Sequence, residues 1–110
     1  MLVSLKNKKD FEKVAKSGRP FFARELGFKI LKNNLNYNRY GIVVNLKVDK
    51  RAVVRNKIRR RIKEIIRLQH SNLSQGFDLM FLTRESVKEL KYAEIKEELI
   101  KLFKKARILK

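Results

Sequence analysis

The sequence has no cysteine and no tryptophan, one proline, one histidine and four glycines in 110 residues. Without cysteine there is no disulfide and no thiolate zinc site, so the fold must rest on an ordinary apolar core, and a cytoplasmic setting is expected. No run of 18 apolar residues occurs and no secretory h-region is seen, so no membrane partner is expected. The glycines stand alone at positions 18, 27, 41 and 76, which argues against a glycine-rich phosphate loop. Negative charge is also scarce, with 11 Asp and Glu against 29 Lys and Arg.

Those absences bear on catalysis. Cleaving a phosphodiester by protein alone needs carboxylates clustered around a divalent metal, or paired acid and base groups such as His and Lys. The acids here are scattered through a basic body; the densest set, Glu89, Glu94, Glu97 and Glu98, lies among lysines near the C-terminal end. The one histidine, His70, has no evident partner and reads as an ordinary surface residue. No catalytic residue and no protein-held metal are expected.

What the chain does have is a 44% hydrophobic fraction including seven Phe, enough for one core, so residues 1–110 read as a single folded domain despite a net charge of +18. A field of that sign draws polyanions, and nucleic acid is the expected partner. The charge is densest in Lys47 to Arg67, KVDKRAVVRNKIRRRIKEIIR. At 100° per residue Val54, Ile58, Ile62, Ile65, Ile66 and Gln69 form an apolar stripe, and Asn56, Arg59, Arg60, Lys63 and Arg67 share a second sector beside it. Only Asp49 and Glu64 oppose the cations. Like charges at i,i+4, such as Arg59 and Lys63, repel by about a few tenths of a kcal/mol per pair. A solvated face interleaves acids with bases; this one does not, which favours a polyanion-binding face.

In chain order, Met1 to Lys6 reads as a loose basic start. NKKDFEKVAKSG reads as a helix capped by Asn7 and stopped at Gly18, with Phe11, Val14 and Ala15 on one face; Phe11 is read equally as core or as ligand-facing. Leu26, Phe28 and Ile30 alternate as a strand, with a shorter one at Phe21 and Phe22 before it. RYGIVVNL reads as its antiparallel hairpin partner after a longish loop. The basic helix follows, with Asp49 as its expected cap and its end near His70. FDLMFLT (77–83) reads as a strand covered on both faces, and the last helix runs from about Tyr92 to Ala106. The expected class is α+β, a sandwich of helices on a mixed sheet.

The run from Arg51 to Arg60, RAVVRNKIRR, resembles the RNR signature of the protein subunit of bacterial ribonuclease P. Lys9 to Val14, Arg39 to Val44 and Gly76 to Leu79 match the flanks, so the resemblance spans the chain in order. It implies a single-domain αβββαβα sandwich with a mixed four-stranded sheet and a left-handed βαβ crossover, and an RNA-binding subunit of a ribonucleoprotein endoribonuclease. In that family the catalytic RNA subunit hydrolyses precursor tRNA to release the 5′ leader. Mg2+ is held mainly by RNA and substrate, and the protein raises substrate and magnesium affinity. No obligate protein partner is implied. By position, Arg51, Arg55, Asn56, Lys57, Arg59, Arg60 and Lys63 should contact RNA, with Lys47, Lys50 and Arg67 extending that surface, and Phe11 and Lys29 fall in the leader cleft. The chain departs from the family pattern at Lys57, Ala15, Lys29 and Leu46, which shifts leader contact from stacking toward charge. The alternatives are a structural RNA-binding protein, which the signature disfavours, and a protein-only nuclease, which the missing catalytic cluster disfavours.

Overall fold

The structure, a computed structural model, describes residues 2–110. Its elements in order are β1 (Val3–Ser4), α1 (Lys8–Ser17), β2 (Arg19–Phe22), β3 (Leu26–Lys32), β4 (Arg39–Val43), α2 (Ala52–Gln69), β5 (Phe77–Thr83) and α3 (Tyr92–Lys105), with short 3-10 turns at His70–Asn72 and Glu85–Glu89. The five strands form one mixed sheet in the order β1-β4-β5-β3-β2. The α+β class and mixed sheet agree with expectation, but the strand count and one pairing do not.

The expected loose start is instead an edge strand over Val3–Ser4, parallel to β4, with the Leu5 amide donating to the Tyr40 carbonyl at 2.8 Å. Met1 lies outside the described residues. The segment is held because Leu5 is buried and Leu2 packs on the core. Nor do β3 and β4 pair as a hairpin. β5 lies between them, antiparallel to β3 and parallel to β4, while the antiparallel hairpin is β2 with β3. The parallel pair obliges the chain between β4 and β5 to cross over the sheet, and α2 is that crossover.

Strand alternation divides the interior between two faces. Leu26, Phe28, Ile30, Tyr40, Leu79 and Phe81 point to the side covered by α2 and α3 and belong to the main core, where the rings of Phe28, Phe81 and Phe103 lie 5.4–6.2 Å apart. The opposite face carries a smaller cluster of Leu5, Val14 and Met80, on which Phe11, Leu31, Val43 and Leu82 pack. α1 covers that side. Asn7 caps it as expected, its Oδ1 accepting from the Lys9 amide at 2.8 Å. Gly18 ends it without a left-handed turn (φ −69°); a Cβ there would stand 2.5 Å from the Val14 carbonyl oxygen. Glycine is needed for clearance, not for positive φ.

Beneath α1 sits a charged cluster. Arg39 donates from Nε and Nη2 to the two carboxylate oxygens of Asp78, at 2.8 and 2.7 Å, and from Nη1 to Asp10 on α1 at 3.1 Å. Asn33 adds a bond to Asp78 at 2.9 Å. Asp78 is 4% exposed, so its charge depends on these partners. Asp78→Ala is expected to lower the unfolding free energy by about 3 kcal/mol through the stranded Arg39 guanidinium. Glu97→Ala, which breaks an exposed pair with Lys101, should leave stability nearly unchanged. Urea midpoints at constant m-value measure both.

Candidate nucleic-acid interface

The apolar stripe of α2 is buried as expected, with Ile58, Ile62, Ile65 and Ile66 in the core and Val54 packed against it. That fixes the rotation of the helix and turns its cationic sector outward. Upstream, buried Val44 and Val48 pin the connection from β4, which carries the exposed Lys47 and Lys50.

Asp49 does not cap α2. The helix opens at Ala52 with Arg51 in the cap position, and Asp49 accepts instead from the Arg51 amide at 2.8 Å and from its Nε and Nη2 at 3.0 Å each. The sequence places the aspartate two residues ahead of the cap position, too early to reach the free amides of the first turn. Lys88 lies 3.5 Å from the same carboxylate. The hydrogen bonds from Arg51 hold Asp49 well below the usual carboxylate range. At the other end Arg67 grips Glu64 with bonds of 3.0 and 2.6 Å, which lowers the Glu64 pKa. Between these ends, Arg55 donates to the carbonyls of Asp49 and Lys50 at 2.9 and 2.7 Å. Arg59 donates to Asn56 Oδ1 at 2.6 Å and to the Val44 carbonyl at 3.3 Å. Among the described residues no carboxylate pairs with Lys57, Arg59, Arg60 or Lys63.

The structure brings most of the expected residues onto connected concave surfaces. Asn56, Arg59, Arg60 and Lys63 line a groove of about 520 Å³ with Val53. Lys47, Arg55 and Arg59 line a neighbouring one with Leu46. Lys57 is exposed on the same helix. Phe11 joins this surface from α1: it lines a pocket of about 280 Å³ that reaches across β1 and β4 to Arg59 and Lys63. Phe11 fits there because residue 41 is glycine, whose Cβ would stand 2.6 Å from its ring. It is half-buried, and it both packs on the small core and lines the pocket. Lys29 is not brought to that pocket; its Nζ donates to the Ala15 carbonyl at 2.7 Å, tying α1 to β3.

Sequence reasoning missed three contributors. The segment Leu2 to Lys6 forms a wall of the Phe11 pocket; the only signal was the spacing of Leu2 and Leu5. Val53 and Leu46 are 76% and 65% exposed beside the cations, offering apolar surface where bases or sugars would lie. His70 is not an ordinary surface residue: it is half-buried, with Nδ1 2.8 Å from the Tyr40 hydroxyl.

Because the middle of α2 repels itself and lacks internal acids, anions that bind the folded state should stabilise it by mass action. Phosphate or sulfate is expected to raise the Tm by several degrees over chloride at matched ionic strength. An unchanged Tm would mean that the cations are already compensated.

The family model described as Ribonuclease P matches residues 2–107. The ribonuclease P protein component of Natranaerobius thermophilus is 36% identical over 108 residues, covering 98% of this chain and 93% of that protein. That of Clostridium botulinum strain Langeland is 40% identical over 105 residues, covering 94% of each. The Staphylococcus aureus RNase P protein superposes with a TM-score of 0.89 at 26% identity, covering 100% of both chains. The Thermotoga maritima RNase P protein gives 0.84 at 29% identity, covering 93% of this chain and 96% of that one. With the family match spanning nearly the whole chain and its cationic helix at the centre of the site, the chain belongs to the ribonuclease P protein family.

Proposed function

We propose that the chain is the RNA-binding subunit of a ribonuclease P ribonucleoprotein, an endoribonuclease that matures precursor tRNA at its 5′ end in the cytoplasm. The observation that carries this is the stretch from Asn56 to Lys63, whose cations face solvent without a carboxylate partner among the described residues. Phosphates of the catalytic RNA supply the missing charge, and their binding releases condensed counterions. Arg59 and Arg60 present planar forks suited to phosphate, and Lys63 a point charge.

The pocket between α1, β1 and α2 takes the single-stranded 5′ leader in this reading. Phe11 offers a ring face for a base, while Arg59 and Lys63 on the opposite wall hold the backbone. The protein thereby strengthens substrate binding while the RNA performs hydrolysis. Among the described residues no three His, Asp or Glu side chains converge as metal ligands. In this reading the Mg2+ of the reaction is held mainly by the RNA subunit and the substrate.

Two triple substitutions that remove equal charge test the face. Arg59, Arg60 and Lys63 to Ala should weaken binding of the ribonuclease P RNA and reduce the slope of log affinity against log salt by about 2 to 3. Lys101, Lys104 and Lys105 to Ala on α3 should keep nearly the parent slope. Equal slopes would place the interface elsewhere.

The leader assignment is tested at Phe11. Phe11→Ala should weaken precursor tRNA binding to the holoenzyme by about 1 to 3 kcal/mol and leave mature tRNA binding unaltered. Its packing on Leu5, Val14 and Met80 also predicts some loss of stability. Equal weakening of both tRNAs would remove the leader from this pocket.

A further inference from the structure

His70, at the junction of α2 and the following 3-10 turn, is oriented from the interior. The chain of contacts begins at Asn38, which is 1% exposed. Its Oδ1 accepts from the Phe77 amide at 2.9 Å, and its Nδ2 donates to the Ser74 carbonyl at 2.9 Å and to the Tyr40 hydroxyl at 3.1 Å. A backbone donor on one side and a backbone acceptor on the other fix which end of the amide is nitrogen. The Tyr40 oxygen therefore accepts a hydrogen bond from Asn38, which leaves its own O–H available to donate to His70 Nδ1, 2.8 Å away. The two rings meet edge to face, with centroids 5.7 Å apart.

This arrangement favours one tautomer. With Nδ1 accepting from Tyr40, the neutral imidazole carries its proton on Nε2, at the far side of the ring. His70 also lines a cavity of about 620 Å³, together with Leu2, Arg60, Lys63, Glu64 and Arg67. Among the described residues that line it Glu64 is the only acid and is gripped by Arg67, so Arg60 and Lys63 leave the cavity an excess of positive charge. The cavity thus joins two cations without a carboxylate partner to an imidazole whose Nδ1 is held by the core.

We propose that this cavity binds a phosphate group, with His70 donating its Nε2–H to a phosphate oxygen and Tyr40 acting as the positioning residue that keeps the proton there. That the phosphate belongs to an RNA backbone rests on the functional reading above; the anion chemistry of the cavity does not. The surface for RNA then extends along α2 beyond Lys63 to His70, the first residue of the 3-10 turn.

Two measurements separate the proposal from that reading. In the first, the full chain labelled with 15N-histidine is titrated with inorganic phosphate at pH 8, above the ordinary titration range of an imidazole. The Nε2 resonance should show the protonated-nitrogen shift of the Nε2–H tautomer and move on saturation. It should no longer move in Arg60→Ala/Lys63→Ala, and in Tyr40→Phe the free protein should show a mixture of tautomers. A resonance that ignores phosphate overturns the site.

In the second, binding of ribonuclease P RNA is followed against salt at pH 8 for the parent, His70→Phe and Lys63→Ala. A neutral donor contributes affinity without releasing a counterion, so His70→Phe should lose about tenfold with the parent slope, while Lys63→Ala should lose affinity with its slope reduced by slightly under one. His70→Phe keeps the ring volume, and a Tm near that of the parent shows that it folds. Parent affinity in His70→Phe together with a weakened Lys63→Ala overturns the role of His70 in binding RNA. If both variants bind RNA as the parent does while phosphate still moves Nε2, the cavity stands as an anion site and the RNA reading falls.

Discussion

The double pairing of β5 is the constraint on which the molecule depends. Its run Phe77–Thr83 pairs antiparallel with β3 on one edge and parallel with β4 on the other, and Leu79, Met80 and Phe81 are buried across both faces. A parallel partner cannot be reached by a tight turn, so the chain after β4 must cross the sheet before β5 begins. That crossing segment is α2. The cationic helix is thus part of how the sheet closes, and it cannot detach without exposing the main core. The magnitudes favour this: burying each of Ile58, Ile62, Ile65 and Ile66 contributes about 1.5 to 3 kcal/mol, while each like-charge i,i+4 pair costs about a few tenths. Packing wins by a wide margin, so the outer face is free to carry charge that is unfavourable in isolation.

The α1 side is built differently. Its core is small, and the helix is held by polar ties as much as by packing: Arg39 to Asp10 near one end and Lys29 to the Ala15 carbonyl near the other. Phe11 sits between these ties, over Gly41. A ring seated in a glycine-sized gap is pre-oriented, with little freedom left to lose. Phe11 thus serves the small core and the wall of the pocket at once.

Much of this was legible because the signals are local. The Asn7 cap, the alternation of Leu26, Phe28 and Ile30, the apolar run of β5 and the isoleucine stripe of α2 are each set within a few residues, and each stands where its periodicity places it. What was not legible depends on distant partners. Val3–Ser4 is too short to show alternation and is a strand only because β4 has a free edge. β3 and β4 are neighbours in sequence, yet β5 separates them because its apolar run pairs along both edges. Lys29 looked like a free cation until α1 supplied a carbonyl. His70 looked solitary because Tyr40 lies 30 residues away.

The placement of the acids grades the charge along the basic stretch. Asp10 and Asp78 are tied up with Arg39 inside the fold, while Asp49 and Glu64 stand toward the two ends of the basic stretch and hold Arg51 and Arg67. Each of these end arginines commits two donor groups to a carboxylate, and only the remaining N–H groups are free for phosphate. Lys57, Arg59, Arg60 and Lys63 have no such partner among the described residues. Charge density on the helix is therefore greatest over the two turns that also line the grooves, and it falls off where the acids neutralise it. A uniform distribution of the same net charge would attract polyanions equally well from a distance, where the field of the whole body acts. The scarce acids, by neutralising Arg51 and Arg67, instead concentrate the unpaired charge over the middle turns of α2.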